Sequence, residues 1–254
     1  GACTGMVTGW LVFAVAGAEA VLAFTASGPG RFSAARERIA EILADTIAVG
    51  PLDEPFAGPH FFFANSFAHT EPANAAFPAL RFFVPRWQVA RMGDSTVAVA
   101  NLLMTADAPV DLIAAKVWKA HAKFRAFDYR SAKRKDRPSA PHQAEELGGP
   151  GGYQRAVASA LTEIARGDYR KVVLARARRF TTPEEFHPLG VLNHLRQHYP
   201  ACYAFSIANG QGQSFIGASP ERLVRVSAGR MHTEALAGSA PRGSSASEDA
   251  ALAQ

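Results

Sequence analysis

The stretch from Met6 to Phe24, MVTGWLVFAVAGAEAVLAF, is almost wholly apolar and limits what the chain can fold into more than any other feature. Its length raises the question of a membrane span, for which about 20 apolar residues suffice. Glu19 lies inside the run, and a carboxylate near a bilayer centre costs about 2.5–3.5 kcal/mol if it behaves as aspartate does. Gly9 and Gly17 interrupt the run as well. No Lys or Arg precedes Arg31, which speaks against a secretory signal. The run therefore reads as a β-hairpin: strands over 10–16 and 19–25, with Ala16-Gly17-Ala18 turning between them. No membrane partner is expected.

The rest of the composition belongs to a globular protein. Over 254 residues, 48% are hydrophobic and 19% charged, enough apolar chain for a sizeable core, and this excludes disorder, collagen-like repeats and a coiled coil for the bulk of the chain. The excess of 27 Lys+Arg over 22 Asp+Glu is modest and suits a small anion as well as it suits nucleic acid. Cys3 and Cys202 are too few for a disulfide framework and show no metal-type spacing, so a reducing, cytoplasmic setting is expected.

Helical and strand periods alternate along the chain. Phe32, Ala35, Ile39, Ile42, Leu43 and Ile47 recur at helical spacing until Gly50-Pro51. Strand signals follow at 61–63, 80–84, 87–91 and 96–104, with a Gly93-Asp94 turn. A second helix is expected to open at Asp107 as N-cap, with Pro109 just inside and His121 on its stripe as a partnered core or boundary residue rather than a ligand. Arg125, Arg130, Lys133, Arg134, Lys135 and Arg137 then crowd together ahead of Gly148-Gly149-Pro150-Gly151-Gly152. Phe127 and Tyr129 make only a thin aromatic interleaving there, so the segment reads as a solvated connecting loop, and no nucleic-acid partner is expected. Beyond it come a helix over 153–166 ended by Gly167, a strand over 171–176, a helix over 183–198, and strands over 203–208, 214–216 and 222–226. The expected organisation is an amino-terminal part over 1–127, a linker over 128–152 and a second unit over 153–254. Short strands between helices, mostly linked by tight turns, give an α+β fold.

Three segments hold residue types suited to chemistry. In Lys171-Val172-Val173-Leu174-Ala175-Arg176 both faces are apolar, as in a central strand. Lys171 at its mouth is either a snorkelling end residue or a desolvated amine able to act as a general base. In Phe215-Ile216-Gly217-Ala218-Ser219-Pro220-Glu221 a strand meets small residues that allow a ligand close to the backbone, then a Ser-Pro step and a carboxylate. Glu221 is either an acid or half of a surface ion pair with Arg222 or Arg225. In Thr233-Glu234-Ala235-Leu236-Ala237-Gly238-Ser239 the Gly-Ser step can offer N–H groups and a hydroxyl to an anion.

In this order, KVVLAR (171–176), FIGASPERLVR (215–225) and TEALAGSAPRG (233–243) resemble the chorismate-utilising enzymes, which include isochorismate, salicylate, anthranilate and aminodeoxychorismate synthases. PHFFFANSF and FFVPRWQV (59–67, 82–89) resemble the amino-terminal half of isochorismate synthases of the quinone pathways (menaquinone, phylloquinone). The resemblance implies large antiparallel sheets layered with helices. It also implies that Lys171, where anthranilate-type members carry glutamine, activates water for attack at ring carbon 2. Glu221 then protonates the departing 4-hydroxyl, while Gly238 and Ser239 contact the substrate. Ala237 stands where aminodeoxychorismate synthases commonly have a nucleophilic lysine. The implied activity is isochorismate synthase acting on chorismate, with salicylate synthase and a non-catalytic binding module as the alternatives.

The family also needs Mg²⁺, whose glutamate ligands lie downstream of the third segment. Glu248 and Asp249 match neither, so the resemblance places the metal ligands beyond Gln254. It makes the chain an amino-terminal fragment, expected to be inactive and aggregation-prone alone. Oligomeric state is not indicated.

Overall fold

A computed structural model describes residues 3–8, 13–125, 143–183, 185–227, 229–234 and 243–252. The first elements are β1 (Cys3–Thr8), β2 (Phe13–Ala26), α1 (Arg31–Ala44), β3 (Phe62–Asn65), β4 (Leu80–Met92) and β5 (Ser95–Ala100). Then come α2 (Val110–Arg125), β6 (Gln143–Glu146), α3 (Gly152–Arg166), β7 (Arg178–Thr181) and α4 (Pro188–His198). The last are β8 (Tyr203–Ala208), β9 (Ser214–Ser219), β10 (Arg225–Ser227), β11 (Arg230–His232) and α5 (Ala246–Leu252). The fold is α+β, with antiparallel pairing throughout the described ladders.

Two compact units emerge, residues 1–110 with 188–254, and residues 111–187. This grouping runs across the serial division at 128–152, because β8 returns to pair with β1. The first unit holds a seven-stranded sheet in the order β3-β4-β2-β1-β8-β9, with β5 also on β4. The second holds α2, α3 and the β6–β7 ribbon, so a strand lies where the linker was expected. The basic run from 130 to 137, with Phe127 and Tyr129, lies outside the described residues.

The apolar opening run does form paired strands, but the turn is not at 16–18. Residues 13–26 make one strand, and β1 pairs back on it with Thr8 opposite Ala14 and Cys3 opposite Ala18. Gly17 therefore sits inside a strand, and the reason is space. A Cβ built there meets the Pro85 Cβ at 2.9 Å and the Phe62 ring at 3.0 Å. Because Pro85 is a ring fixed in the neighbouring strand, Gly17→Ala is expected to cost about 1–3 kcal/mol by overpacking. Chemical denaturation checks this, and an unchanged midpoint sinks it.

The expected strands 80–84 and 87–91 are one, β4. One of its edges follows β2 for its whole length; the other is shared, β3 taking Leu80–Phe83 and β5 taking Trp87–Met92. Pro85, which has no N–H to donate, falls in the gap between those partners, where a proline costs the ladder least. Asn101 fills the gap, its side chain donating to the Pro85 carbonyl at 2.7 Å and its N–H to that of Arg86 at 2.9 Å. Opposite, β2 is irregular between Ala20 and Leu22, and Glu19 takes φ 58°. Its carboxylate lies 3.2 Å from Arg86, so the acid that interrupts the apolar run is half of an exposed ion pair.

α1 covers one face of this sheet. Ala35, Leu80 and Phe82 are buried together, with Phe24, Ile39, Ile42 and Phe61 around them. Ile47, predicted on the stripe, is 91% exposed beyond the helix end at Ala44. α2 starts at Val110, not Asp107. The Asp107 carboxylate instead accepts from Thr105, which holds its pKa below the ordinary value. His121 packs edge-on to Trp118. α3 ends as expected at Gly167, in the left-handed region at φ 88°. Among the described residues no helix is long and apolar enough to cross a membrane.

Candidate active site

Glu221 is positioned by the β8–β9 hairpin. The turn between the strands is built around Asn209, whose side-chain oxygen accepts the N–H groups of Gln211 (2.8 Å) and Gln213 (3.2 Å). Across the hairpin Phe205 lies opposite Gly217. A Cβ at Gly217 would meet the Phe205 ring at 2.5 Å. The small residue predicted to admit a ligand therefore admits a ring of its own sheet.

β9 runs on to Ser219, longer than the three residues expected, and the Ser-Pro-Glu step follows. The Ser219 hydroxyl accepts the Glu221 N–H at 3.3 Å and donates to the Glu221 carbonyl at 3.2 Å. This local turn fixes the Glu221 backbone and leaves its carboxylate exposed. Arg222 is not its partner: the guanidinium is paired with the Glu234 carboxylate and donates to the Tyr203 hydroxyl at 3.4 Å. The Thr233 hydroxyl donates to the Leu223 carbonyl at 2.9 Å. Two of the three motifs, SPERL and TE, are thus laced together through residues not selected from the sequence. The signal available was an arginine directly after the acid and a glutamate second in the third motif.

The strand expected over 222–226 is shorter, Arg225–Ser227, and forms a ribbon with Arg230–His232. Gly238 and Ser239 lie outside the described residues, as does Ala237.

Lys171 belongs to the other compact unit. The strand expected over 171–176 is not formed there; ladder pairing begins at Arg178, opposite Glu146. Lys171 is exposed and Val173 is 85% exposed. An apolar extended segment becomes a central strand only with strands paired on both edges, and among the described residues no ladder includes 171–177; the Leu147 N–H donates to the Ala177 carbonyl at 3.0 Å just ahead of the first ladder pair. Arg176 and Arg179 nearby are paired with Glu146 (3.6 Å) and Glu145 (3.3 Å).

Among the described residues no three His, Cys, Asp or Glu side chains gather where they could hold a cation. These residues do not by themselves fit a Mg²⁺ centre. Glu248 and Asp249 instead begin α5. Glu248 accepts from the Ser244 N–H at 2.8 Å and from its hydroxyl, while Asp249 accepts from the Gly243 N–H at 2.5 Å. The Ser244 hydroxyl, and then its N–H, hold the Glu248 pKa below the ordinary value. Away from these motifs the first unit has a cavity of about 670 Å³ lined by Phe61, Phe62, Phe83, Phe205 and Phe215, which includes none of the predicted site residues.

Comparison with known proteins covers both units. A family profile described as "Chorismate binding enzyme" matches residues 11–254. A protein of Aeromonas hydrophila, provisionally named an isochorismate synthase, is 32% identical over 191 residues, 75% of this chain and 45% of the relative. The anthranilate synthase of Azospirillum brasilense is 38% identical over 120 residues, 46% of this chain and 16% of the relative. The solved structure of MenF, the menaquinone-specific isochorismate synthase of Escherichia coli, superposes with a TM-score of 0.62 at 18% identity. That match covers 99% of this chain and 52% of the other. The chain thus spans about half or less of the length of these relatives.

Proposed function

We propose that this chain, which belongs to the chorismate binding enzyme family, carries part of an isochorismate synthase. The observation that carries the reading is Lys171 at the head of KVVLAR, the position at which the anthranilate-type members have glutamine. Water addition needs a base on the attacking oxygen. A lysine can remove that proton once desolvation disfavours its ammonium form, whereas a glutamine amide cannot. The A. hydrophila relative supports the same branch.

In this proposal Lys171 takes a proton from water as the oxygen attacks ring carbon 2 of chorismate. The C1=C2 electron pair moves to C1–C6, the C5=C6 pair moves to C4–C5, and the C4–O bond breaks. Glu221 delivers the proton that lets the hydroxyl leave as water, so the step neither gains nor loses atoms. The turn through Ser219 supports the acid's role by fixing the backbone from which the carboxylate reaches out. Each group must act in the less hydrated of its two forms, amine on one side and acid on the other, so water has to be excluded around both during turnover. Mg²⁺ dependence and a cytoplasmic location belong to the same proposal.

The test is product analysis. The full-length protein is incubated with chorismate, with and without Mg²⁺, and the products are separated by chromatography. Isochorismate as main product is expected, and only with the metal. Salicylate with pyruvate transfers the protein to the salicylate synthases. Anthranilate formed from chorismate and ammonia overturns the assignment of Lys171.

A further inference from the structure

The β10–β11 ribbon has a charge pattern that its own fold does not explain. Arg225 pairs in register with His232, and Ser227 with Arg230. Residues two apart on a strand share a face, so these four lie on one side, and Val226 with Met231 on the other. Arg225 and Arg230 are diagonal neighbours on that face, within reach of each other's long side chains. Among the described residues neither Arg225 nor Arg230 has a carboxylate partner, and the one acid beside them, Glu234, is committed to Arg222. Arg222, Arg225, Arg230, His232 and Glu234 line one open depression of about 720 Å³.

Three guanidiniums facing one carboxylate around a shared depression call for an anion. Diagonal neighbours on such a ribbon stand about 7–8 Å apart at the backbone, a span that two anionic groups of one small molecule can bridge. A monoanion brings one negative charge to the arginines where a dicarboxylate brings two. The depression also begins at Arg222, the residue after Glu221. We propose that the basic face of β10–β11 is a capture surface for a small dicarboxylate. Resting on the reading that chorismate, a dianion, is the substrate, it gathers that substrate beside the acid. The ribbon raises the encounter rate, and the chemistry stays with Lys171 and Glu221.

The experiment is calorimetric titration of the protein with chorismate and with benzoate as a monoanion control, at several salt concentrations. Chorismate is expected to bind in a salt-dependent way, and benzoate weakly. In Arg225→Gln/Arg230→Gln, chorismate affinity is expected to fall about tenfold, within the range of electrostatic capture effects, with a flatter salt dependence. Arg225→Lys/Arg230→Lys is expected to recover most of it, which separates charge from any damage to the ribbon. Equal chorismate affinity in wild type and the glutamine variant overturns the proposal, as does no chorismate binding by wild type. Product analysis keeps the two readings apart. Isochorismate formation with kcat/KM unchanged in the glutamine variant sinks the capture surface alone. Arginine-dependent binding without isochorismate formation sinks the isochorismate synthase reading alone.

Discussion

Glu221→Gln and Lys171→Ala are each expected to lower chorismate turnover by about 10²–10⁴-fold, the range for loss of a positioned proton donor or acceptor. Both side chains are exposed, so neither substitution should move stability by more than about 0.5 kcal/mol. Glutamine keeps the size of the carboxyl group but has no acidic proton to deliver to the departing hydroxyl. The turn beneath it survives, because Ser219 bonds the backbone of residue 221 and not its side chain. Acid and base serve one displacement, so the double variant should be little worse than the poorer single one. Steady-state kinetics of the full-length protein together with thermal unfolding check this. Full activity in either single variant removes that residue from the mechanism. Activity lost in step with stability moves both residues from chemistry to structure.

The roles proposed for these two residues come from the order of short motifs, in which residue identity carries the chemistry. What surrounds them was less legible. Glycine is the clearest case: Gly17 between two alanines reads equally as a turn or as a close approach, and only the pairing of β2 with β4 decides for the approach. Gly217 likewise reads as room for a ligand until Phe205 is found opposite it. Strand partners are long-range facts. Residues 171–176 have the composition of a central strand, yet pairing depends on neighbours that composition does not specify, and here pairing starts at Arg178. The Arg222–Glu234 pair spans twelve positions and depends on the β10–β11 reversal between them. Helices with clear stripes were better marked: α3 lies within one residue of its predicted limits, because Gly167 terminates it locally. β8 was legible for a similar reason, a compact apolar run bounded by turn-forming residues on both sides.

Phe82→Ala is expected to destabilise the first unit by about 3–5 kcal/mol, the largest stability effect of any substitution considered. The side chain is fully buried at 0% exposure, on the long strand that β2, β3 and β5 all pair with. Its ring stacks on Phe24 at 5.1 Å and meets Phe61 edge-on at 5.5 Å, while Ala35 of α1 closes the cluster. Phe24 and Phe63 are its register partners on either side, so the cavity left by alanine opens between strands that hydrogen bonding holds apart. Collapse is therefore limited, which puts the cost toward the upper part of the range. Phe67, fully exposed, is the control, and Phe67→Ala should stay within about 0.5 kcal/mol. Urea unfolding of both variants separates the two environments. A Phe82→Ala loss below about 1 kcal/mol contradicts the packing of α1 on this sheet. A loss equal to that of Phe67→Ala contradicts the register of β4, since a slip of one residue carries Phe82 to the opposite face.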